Sequence, residues 1–140
     1  MKILFSIGSY FLLLAVLGHA TGHFLFYIYE SRFDAERTSL MNTMKAYIAD
    51  RMFFDTSMWT ILKMFSMSFS LLFIFSGLMN LLILKSDLPD EFLQKTALFN
   101  AVFWLVSLIL FSALNPAIQP IVICLIAAIL FGTSYYLSRI

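Results

Sequence analysis

No charged side chain occurs between Lys95 and Arg139, and the two prolines of this stretch, Pro116 and Pro120, lie together near its middle. Residues 96–138 make a stretch about twice as long as the ~20 apolar residues with which a helix crosses a bilayer. A proline cannot continue a helix without losing a hydrogen bond, so the pair marks where the chain turns back. We therefore interpret the C-terminal third as a transmembrane helical hairpin.

Charge is scarce over the whole chain. Of its 140 residues, 12% are charged and 61% are hydrophobic. A soluble domain has about a quarter of its residues charged. Strands of a membrane β-barrel would alternate in short segments, whereas these apolar runs are continuous. The sequence thus predicts an all-α polytopic membrane protein, an antiparallel four-transmembrane-helix bundle forming a single domain over residues 1–140. The predicted spans are about 3–29, 58–84, 96–114 and 117–137.

Several functional classes lack their signatures. The single cysteine, Cys124, excludes an internal disulfide framework. The chain contains no glycine-rich phosphate loop, no CxxC and no HExxH motif. No span contains an acidic residue, which argues against coupled export of cations. With a formal net charge of +1 there is no basic patch for nucleic acid, so we expect no nucleic-acid partner and find no positive sign of an enzyme.

The one sizeable segment outside the spans is the long loop 30–57. Its apolar residues recur at three- and four-residue steps, which predicts an amphipathic helix over about 40–54 lying in the headgroup plane. We expect Thr38 or Ser39 to cap this helix, and Asp55, Thr56 or Ser57 to cap the next one. The helix either covers the end of the bundle or binds lipid or a partner. The face predicted to meet lipid or the bundle consists of Met41, Met44, Ile48 and Met52.

Four spans place both termini and the turn between Lys85 and Lys95 on the same side of the membrane. That side carries positive charges in very short segments, where the positive-inside rule applies best. We therefore expect both termini to lie in the cytoplasm.

Polar residues within the spans are the candidates for function, because burying them in lipid is costly. The first span contains Gly18-His19-Ala20-Thr21-Gly22-His23. His19 and His23 are four residues apart and share one helix face. Gly18 and Gly22 form a small-xxx-small pair on an adjacent face, which predicts close approach of another helix.

Antiparallel register predicts which polar groups meet. Counting inward from the long loop, His23 lies about as deep as Ser66 of the second span, and His19 about as deep as Ser70. Ser107 of the third span lies at a similar depth. Asn80 and Asn100 belong to the opposite half, towards the termini. We expect at least one histidine to hydrogen-bond to another helix.

The histidine pair leaves several kinds of chemistry open. The two imidazoles can bind a metal ion, although a tetrahedral site needs more ligands. One imidazole can serve as a single axial haem ligand or donate a hydrogen bond to a quinone carbonyl. It can also relay protons. The structural alternative is that each ring hydrogen-bonds to a neighbouring helix and holds the packing.

The span count, the length, the Gly-His segment of the first span and the segment Phe75-Ser76-Gly77-Leu78-Met79-Asn80-Leu81-Leu82 resemble the small bacterial four-helix membrane proteins of the DoxX-like families. The resemblance implies a compact four-helix bundle in the bacterial inner membrane. Members of these families are proposed to be redox or quinone-linked partners.

Two functional hypotheses follow. The first is a non-catalytic multi-pass membrane protein, an accessory or scaffold subunit that packs against itself or against another membrane protein within the lipid bilayer. The alternative is a redox-linked membrane protein that binds haem, quinone or a metal ion at the face of His19 and His23. The large aromatic content favours the first, since one small core cannot bury it all.

Overall fold

A computed structural model describes residues 1–28, 34–50, 55–114 and 118–140. It is predominantly helical, and four of its helices are long and apolar enough to cross a membrane. In chain order the elements are α1 (Lys2–Ile28), α2 (Ala35–Ala46), β1 (Ile48–Asp50), β2 (Thr56–Ser57), α3 (Met58–Lys85), α4 (Asp90–Leu114) and α5 (Ile118–Leu137).

The four long helices agree with the predicted spans except at two boundaries. Helix α4 begins at Asp90, six positions before the expected start, because charged residues do not stop a helix. Acidic side chains favour a first turn, and the Glu91 carboxylate pairs with Lys95 at 2.7 Å one turn later. Helix α5 includes Pro120 in its first turn, which tolerates proline because N–H groups there lack intrahelical partners. The turn predicted over 115–120 is therefore wrong for residues 118–120, which are helical, and its residues 115–117 lie outside the described residues.

The long loop differs from its prediction. Helix α2 ends at Ala46, and Ile48–Asp50 forms a strand antiparallel to Thr56–Ser57. The helix predicted over about 40–54 is therefore wrong for residues 47–50. Its cap is Asp34, whose carboxylate accepts a hydrogen bond from Arg37 N at 2.8 Å, and not Thr38 or Ser39. A β-branched residue after Tyr47 favours the extended backbone. Met52 lies outside the described part of the chain.

The predicted cap of α3 is confirmed. The Ser57 hydroxyl accepts a hydrogen bond from Thr60 N at 3.3 Å, which satisfies one of the free N–H groups in the first turn. Asp55, just before β2, has a positive φ of 47°, a conformation that aspartate tolerates better than most residues. Met58 N donates to Tyr47 O at 2.9 Å, so the short hairpin joins the end of α2 to the start of α3.

The described residues group into two compact units, one of residues 1–16 and 73–140, the other of residues 17–72. In the first unit, α1 contacts α5 where the rings of Phe5 and Phe131 meet edge to face with centroids 5.3 Å apart. The Ser134 hydroxyl, fully buried near the end of α5, donates to Met1 O at 3.1 Å. The start of α1 therefore lies beside the end of α5.

Glycine sets the closest helix approach in this unit. A Cβ added to Gly77 would lie 2.8 Å from the side chain of Leu13 and 3.1 Å from Ser9 O. At Gly77 the backbone of α3 therefore lies directly against the Leu13 side chain and the Ser9 carbonyl of α1, a contact that only glycine permits without a shift. At Gly18 and Gly22 no described atom lies within 4 Å of an added Cβ, so no helix of the described residues packs closely against this pair.

Candidate functional site

A histidine and a serine from two different helices meet in the unit of residues 17–72. His19 Nε2 of α1 and Ser66 Oγ of α3 share a hydrogen bond of 3.1 Å in a half-buried setting. Which atom donates depends on the imidazole tautomer. The prediction that at least one histidine bonds to another helix is confirmed.

The surroundings of this contact come from α3. Phe69 presents its ring edge to face with the imidazole, with centroids 5.8 Å apart and an interplanar angle of 71°. Ser70 Oγ donates to Ser66 O at 3.2 Å, which satisfies its hydroxyl within α3. Helical spacing of three and four residues places Ser66, Phe69 and Ser70 on one face of α3, towards His19.

The two remaining predicted site residues are His23 and Ser107. The side chain of His23 lies outside the described residues. Ser107 belongs to the unit of residues 1–16 and 73–140, where its hydroxyl donates to Phe103 O of its own helix at 2.9 Å. Among the described residues, no three or more His, Cys, Asp or Glu side chains are grouped as metal ligands. The His19 contact thus provides one imidazole beside hydroxyl groups and an aromatic ring.

A reciprocal amide pair joins α3 to α4 in the first unit. Asn80 Nδ2 donates to Asn100 Oδ1, and Asn100 Nδ2 donates to Asn80 Oδ1, both at 3.0 Å. Asn100 Nδ2 also donates to Thr96 O at 2.9 Å. Both side chains are buried, and the predicted asparagine cluster is confirmed as a direct contact. The pair fixes the register of the two helices, because sliding either one by a turn would leave buried amides unpaired.

An aromatic stack continues this contact one turn further along α4. The rings of Phe73 and Trp104 stack with centroids 5.0 Å apart, and Phe103 meets Trp104 edge to face at the same distance. Trp104 is 1% exposed, and its indole N–H has no hydrogen-bond partner among the described residues. An unmade hydrogen bond costs about 1–3 kcal/mol. Packing of the ring, at about 0.5–1.5 kcal/mol per aromatic pair beyond its burial, offsets that cost.

The sequence did not predict another cluster, which lies at the start of α3 next to the hairpin. The ammonium groups of Lys45 and Lys63 lie 5.8 and 5.9 Å from the centroid of the Trp59 ring. The four-residue spacing of Trp59 and Lys63 is visible in the sequence and would have predicted the contact between these two residues. Lys45 is fourteen positions before Trp59, and only the hairpin brings it there.

Comparison with protein-family models, curated proteins and solved structures finds no match for this chain.

Proposed function

We propose that this chain is a multi-pass membrane protein of four antiparallel spans that acts as a non-catalytic accessory or scaffold subunit. The observation that carries the membrane assignment is the apolar exposure of its long helices. Within the most apolar 18-residue window of each candidate span, only 17–28% of the residues are buried. A water-soluble protein rarely exposes so much continuous apolar surface, whereas lipid covers it without cost.

The disposition of the buried polar groups supports a packing role. The described buried polar side chains, Ser9, Asn80, Asn100 and Ser134, all bond within the protein, two of them to each other. Polar side chains that hydrogen-bond within the protein make a bundle rigid, and their donor groups are then not available to a ligand. This is the arrangement expected of a subunit that presents a rigid surface.

The occupant that we propose for that surface is a second copy of this chain, and the face is that of Gly18 and Gly22. Both glycines are exposed and open, and small residues at a four-residue spacing let two helix backbones approach closely in lipid. Substituting Gly18→Leu should shift the protein from dimer to monomer in size-exclusion chromatography with light scattering. Ala20→Leu places the same leucine side chain on another face of α1 and should leave the dimer intact. A wild-type monomer in detergent and in lipid nanodiscs would contradict self-association.

The sidedness that we propose is cytoplasmic termini in the inner membrane. In a Cys124→Ala background, single cysteines at Ser86 and Ser39 report opposite sides. A membrane-impermeant maleimide added to intact cells should label Cys at 39 and leave Cys at 86 unlabelled until the cells are lysed. The reverse pattern would show the opposite orientation. Labelling of both positions in intact cells would show that α3 does not cross the membrane, which would contradict four spans.

A second candidate is a redox-linked protein that binds haem, quinone or a metal ion through His19. The observation that favours it is the His19 imidazole hydrogen-bonded to the Ser66 hydroxyl and packed against the Phe69 ring, a combination of a hydrogen-bonding group and an aromatic face that suits a quinone head group. An absorption spectrum, solvent extraction of quinone and metal analysis test it on the purified protein. A Soret band, a stoichiometric quinone or a stoichiometric metal that is lost in His19→Phe and retained in Ser107→Ala would establish it. An apo-protein from cells supplied with all three would reject it.

A further inference from the structure

Helix α2 has two exposed sides of opposite character. Leu40 and Met44, followed by Tyr47 at the C-cap, recur at steps of four and three residues, so they share one side of the helix. The side chains of Leu40 and Tyr47 are 62% and 61% exposed. Ser39 and Asn42, on another side, are exposed as well. A short helix outside the long apolar helices thus presents an apolar side and a polar side at the same time.

The contact of α2 with the protein is made by a neighbouring side. Met41 is the buried residue of this helix, with 7% of its surface exposed. It follows Leu40 directly and therefore points about 100° further around the helix. Met44, which is half-buried, lies between these two directions. The face that the sequence predicted to meet lipid or the bundle thus divides into a protein contact at Met41 and an adjoining apolar side that the described residues leave exposed.

The apolar side of α2 continues into the exposed apolar surface of α3. Met58 N donates to Tyr47 O at 2.9 Å, so Tyr47 lies beside the first residue of α3. From there Met58, Leu62 and Phe65 recur at steps of four and three residues, and all three are exposed. This stripe belongs to a helix long and apolar enough to cross a membrane. Lipid that covers the start of the stripe therefore also reaches Tyr47 at the end of α2.

From this continuity we propose that α2 lies in the membrane interface and inserts Leu40, Met44 and Tyr47 among the lipids, so that it binds the leaflet by apolar contact and not by charge. The inference rests on the proposed membrane-spanning function. An interfacial helix buries its apolar side at the boundary of headgroups and acyl chains and keeps its polar side in water. Tyrosine suits this depth, because its ring is apolar and its hydroxyl reaches the polar layer.

The charges of α2 argue against an electrostatic attachment. The carboxylates of Asp34 and Glu36 balance the cations of Arg37 and Lys45, so residues 34–47 have no net charge. Asp34 and Arg37 also form an ion pair with each other at 3.6 Å. Anionic lipids attract a segment that has an excess of lysine and arginine, and this segment has none. A zwitterionic lipid such as phosphatidylcholine is therefore sufficient as the occupant.

The test measures the depth of spin labels in Cys124→Ala protein reconstituted in phosphatidylcholine bilayers. A nitroxide is attached to Leu40→Cys or Tyr47→Cys on the apolar side, to Asn42→Cys on the polar side, or to Leu71→Cys near the middle of α3. All four positions are exposed, so the labels leave the packing intact, which circular dichroism of each variant checks. Molecular oxygen concentrates in hydrocarbon, whereas a nickel chelate stays in water, so the ratio of their collision rates with the label reports its surroundings.

We expect the oxygen-to-nickel ratio at positions 40 and 47 to exceed the ratio at 42 by about five- to twentyfold, since the apolar side of an interfacial helix lies about 5–10 Å below its polar surroundings. The ratio at 71 should be higher still. Adding phosphatidylglycerol should leave the ratios at 40 and 47 unchanged.

Two results at positions 40 and 47 would overturn the proposal while a high ratio at 71 upholds the membrane span. Frequent nickel collisions at both positions would place this side of α2 in water, and rare collisions with both reagents would show that protein covers it. A high ratio that appears only with phosphatidylglycerol would overturn the apolar attachment. Frequent nickel collisions at 71 would instead refute the membrane assignment itself, so the two failures are distinguishable.

Discussion

Replacing either member of the buried amide pair should reveal how strongly α3 and α4 are coupled. The two reciprocal hydrogen bonds between Asn80 and Asn100 are each 3.0 Å long. A hydrogen bond between membrane helices contributes about 0.6 kcal/mol on average and about 1.7 kcal/mol at most. For two such bonds we expect a coupling free energy of about 1–3 kcal/mol.

The two single variants should differ in cost. In Asn100→Leu, the Asn80 amide loses both of its described partners and keeps its burial. In Asn80→Leu, the Asn100 amide retains its bond to Thr96 O. Because a buried unsatisfied group costs about 1–3 kcal/mol, Asn100→Leu should lower the free energy of unfolding more than Asn80→Leu. The double variant removes both polar groups and should cost less than the sum of the singles.

The measurement is unfolding in mixed micelles by titration with dodecyl sulfate, followed by helical circular dichroism, for the wild type, both singles and the double. Ser107→Ala is the control, since its hydroxyl bonds only to its own helix, and it should change the free energy of unfolding by less than about 0.5 kcal/mol. If the free-energy changes of the two single variants add up to that of the double variant, with a coupling below about 0.3 kcal/mol, the pair does not couple the two helices and the reasoning is refuted.

Three further outcomes are expected in the same assay. Gly77→Ala should lower the free energy of unfolding by about 1–3 kcal/mol, because its Cβ would lie 2.8 Å from Leu13. Gly132→Ala should stabilise slightly, since the nearest atom to its added Cβ is Ala101 Cβ at 3.9 Å and alanine favours a helix by about 1 kcal/mol. Equal effects of the two substitutions would contradict the close approach of α1 and α3. Ser57→Ala should cost about 1 kcal/mol through loss of the α3 cap, and Ser57→Asp should recover it. Lys2→Gln should change stability by less than about 0.5 kcal/mol, because its ion pair is largely exposed; a larger loss would show a buried role.

The sequence was sufficient for the positions of the long helices, because the signal is simple. A continuous apolar run bounded by charges has one main structural solution in lipid, a helix that satisfies its own backbone groups. The predicted start of α4 was six positions too late, because the prediction took the charged residues as the end of the helix. Charges mark where lipid ends, and they do not mark where a helix ends, so Asp90 and Glu91 extend α4 beyond its apolar part.

For the candidate sites, sequence register succeeded where two regular helices face each other. Asn80 with Asn100 follows from counting along antiparallel helices of fixed rise. For the histidines the count is off by one turn, since it placed His19 level with Ser70, whereas His19 hydrogen-bonds to Ser66. It failed at α2, where the apolar spacing continued past Tyr47 although the backbone there becomes extended. A three- and four-residue pattern shows which residues would share a face if the segment were helical, and it cannot show that the helix continues.

By itself, then, the sequence determined the class of this protein, four long apolar helices with polar residues at definite depths, since hydropathy and helical rise are properties of local sequence. Only the tertiary structure decided which small residues are contact points. Gly77 lies against Leu13 and Ser9, whereas Gly18 and Gly22, with the more recognisable spacing, have no described atom near them. The tertiary structure also brought Lys45 to Trp59 through a hairpin of five strand residues. The physical reason is the same in both cases: a helix face has no fixed partner until the backbone hydrogen bonds and packing of other segments place one beside it.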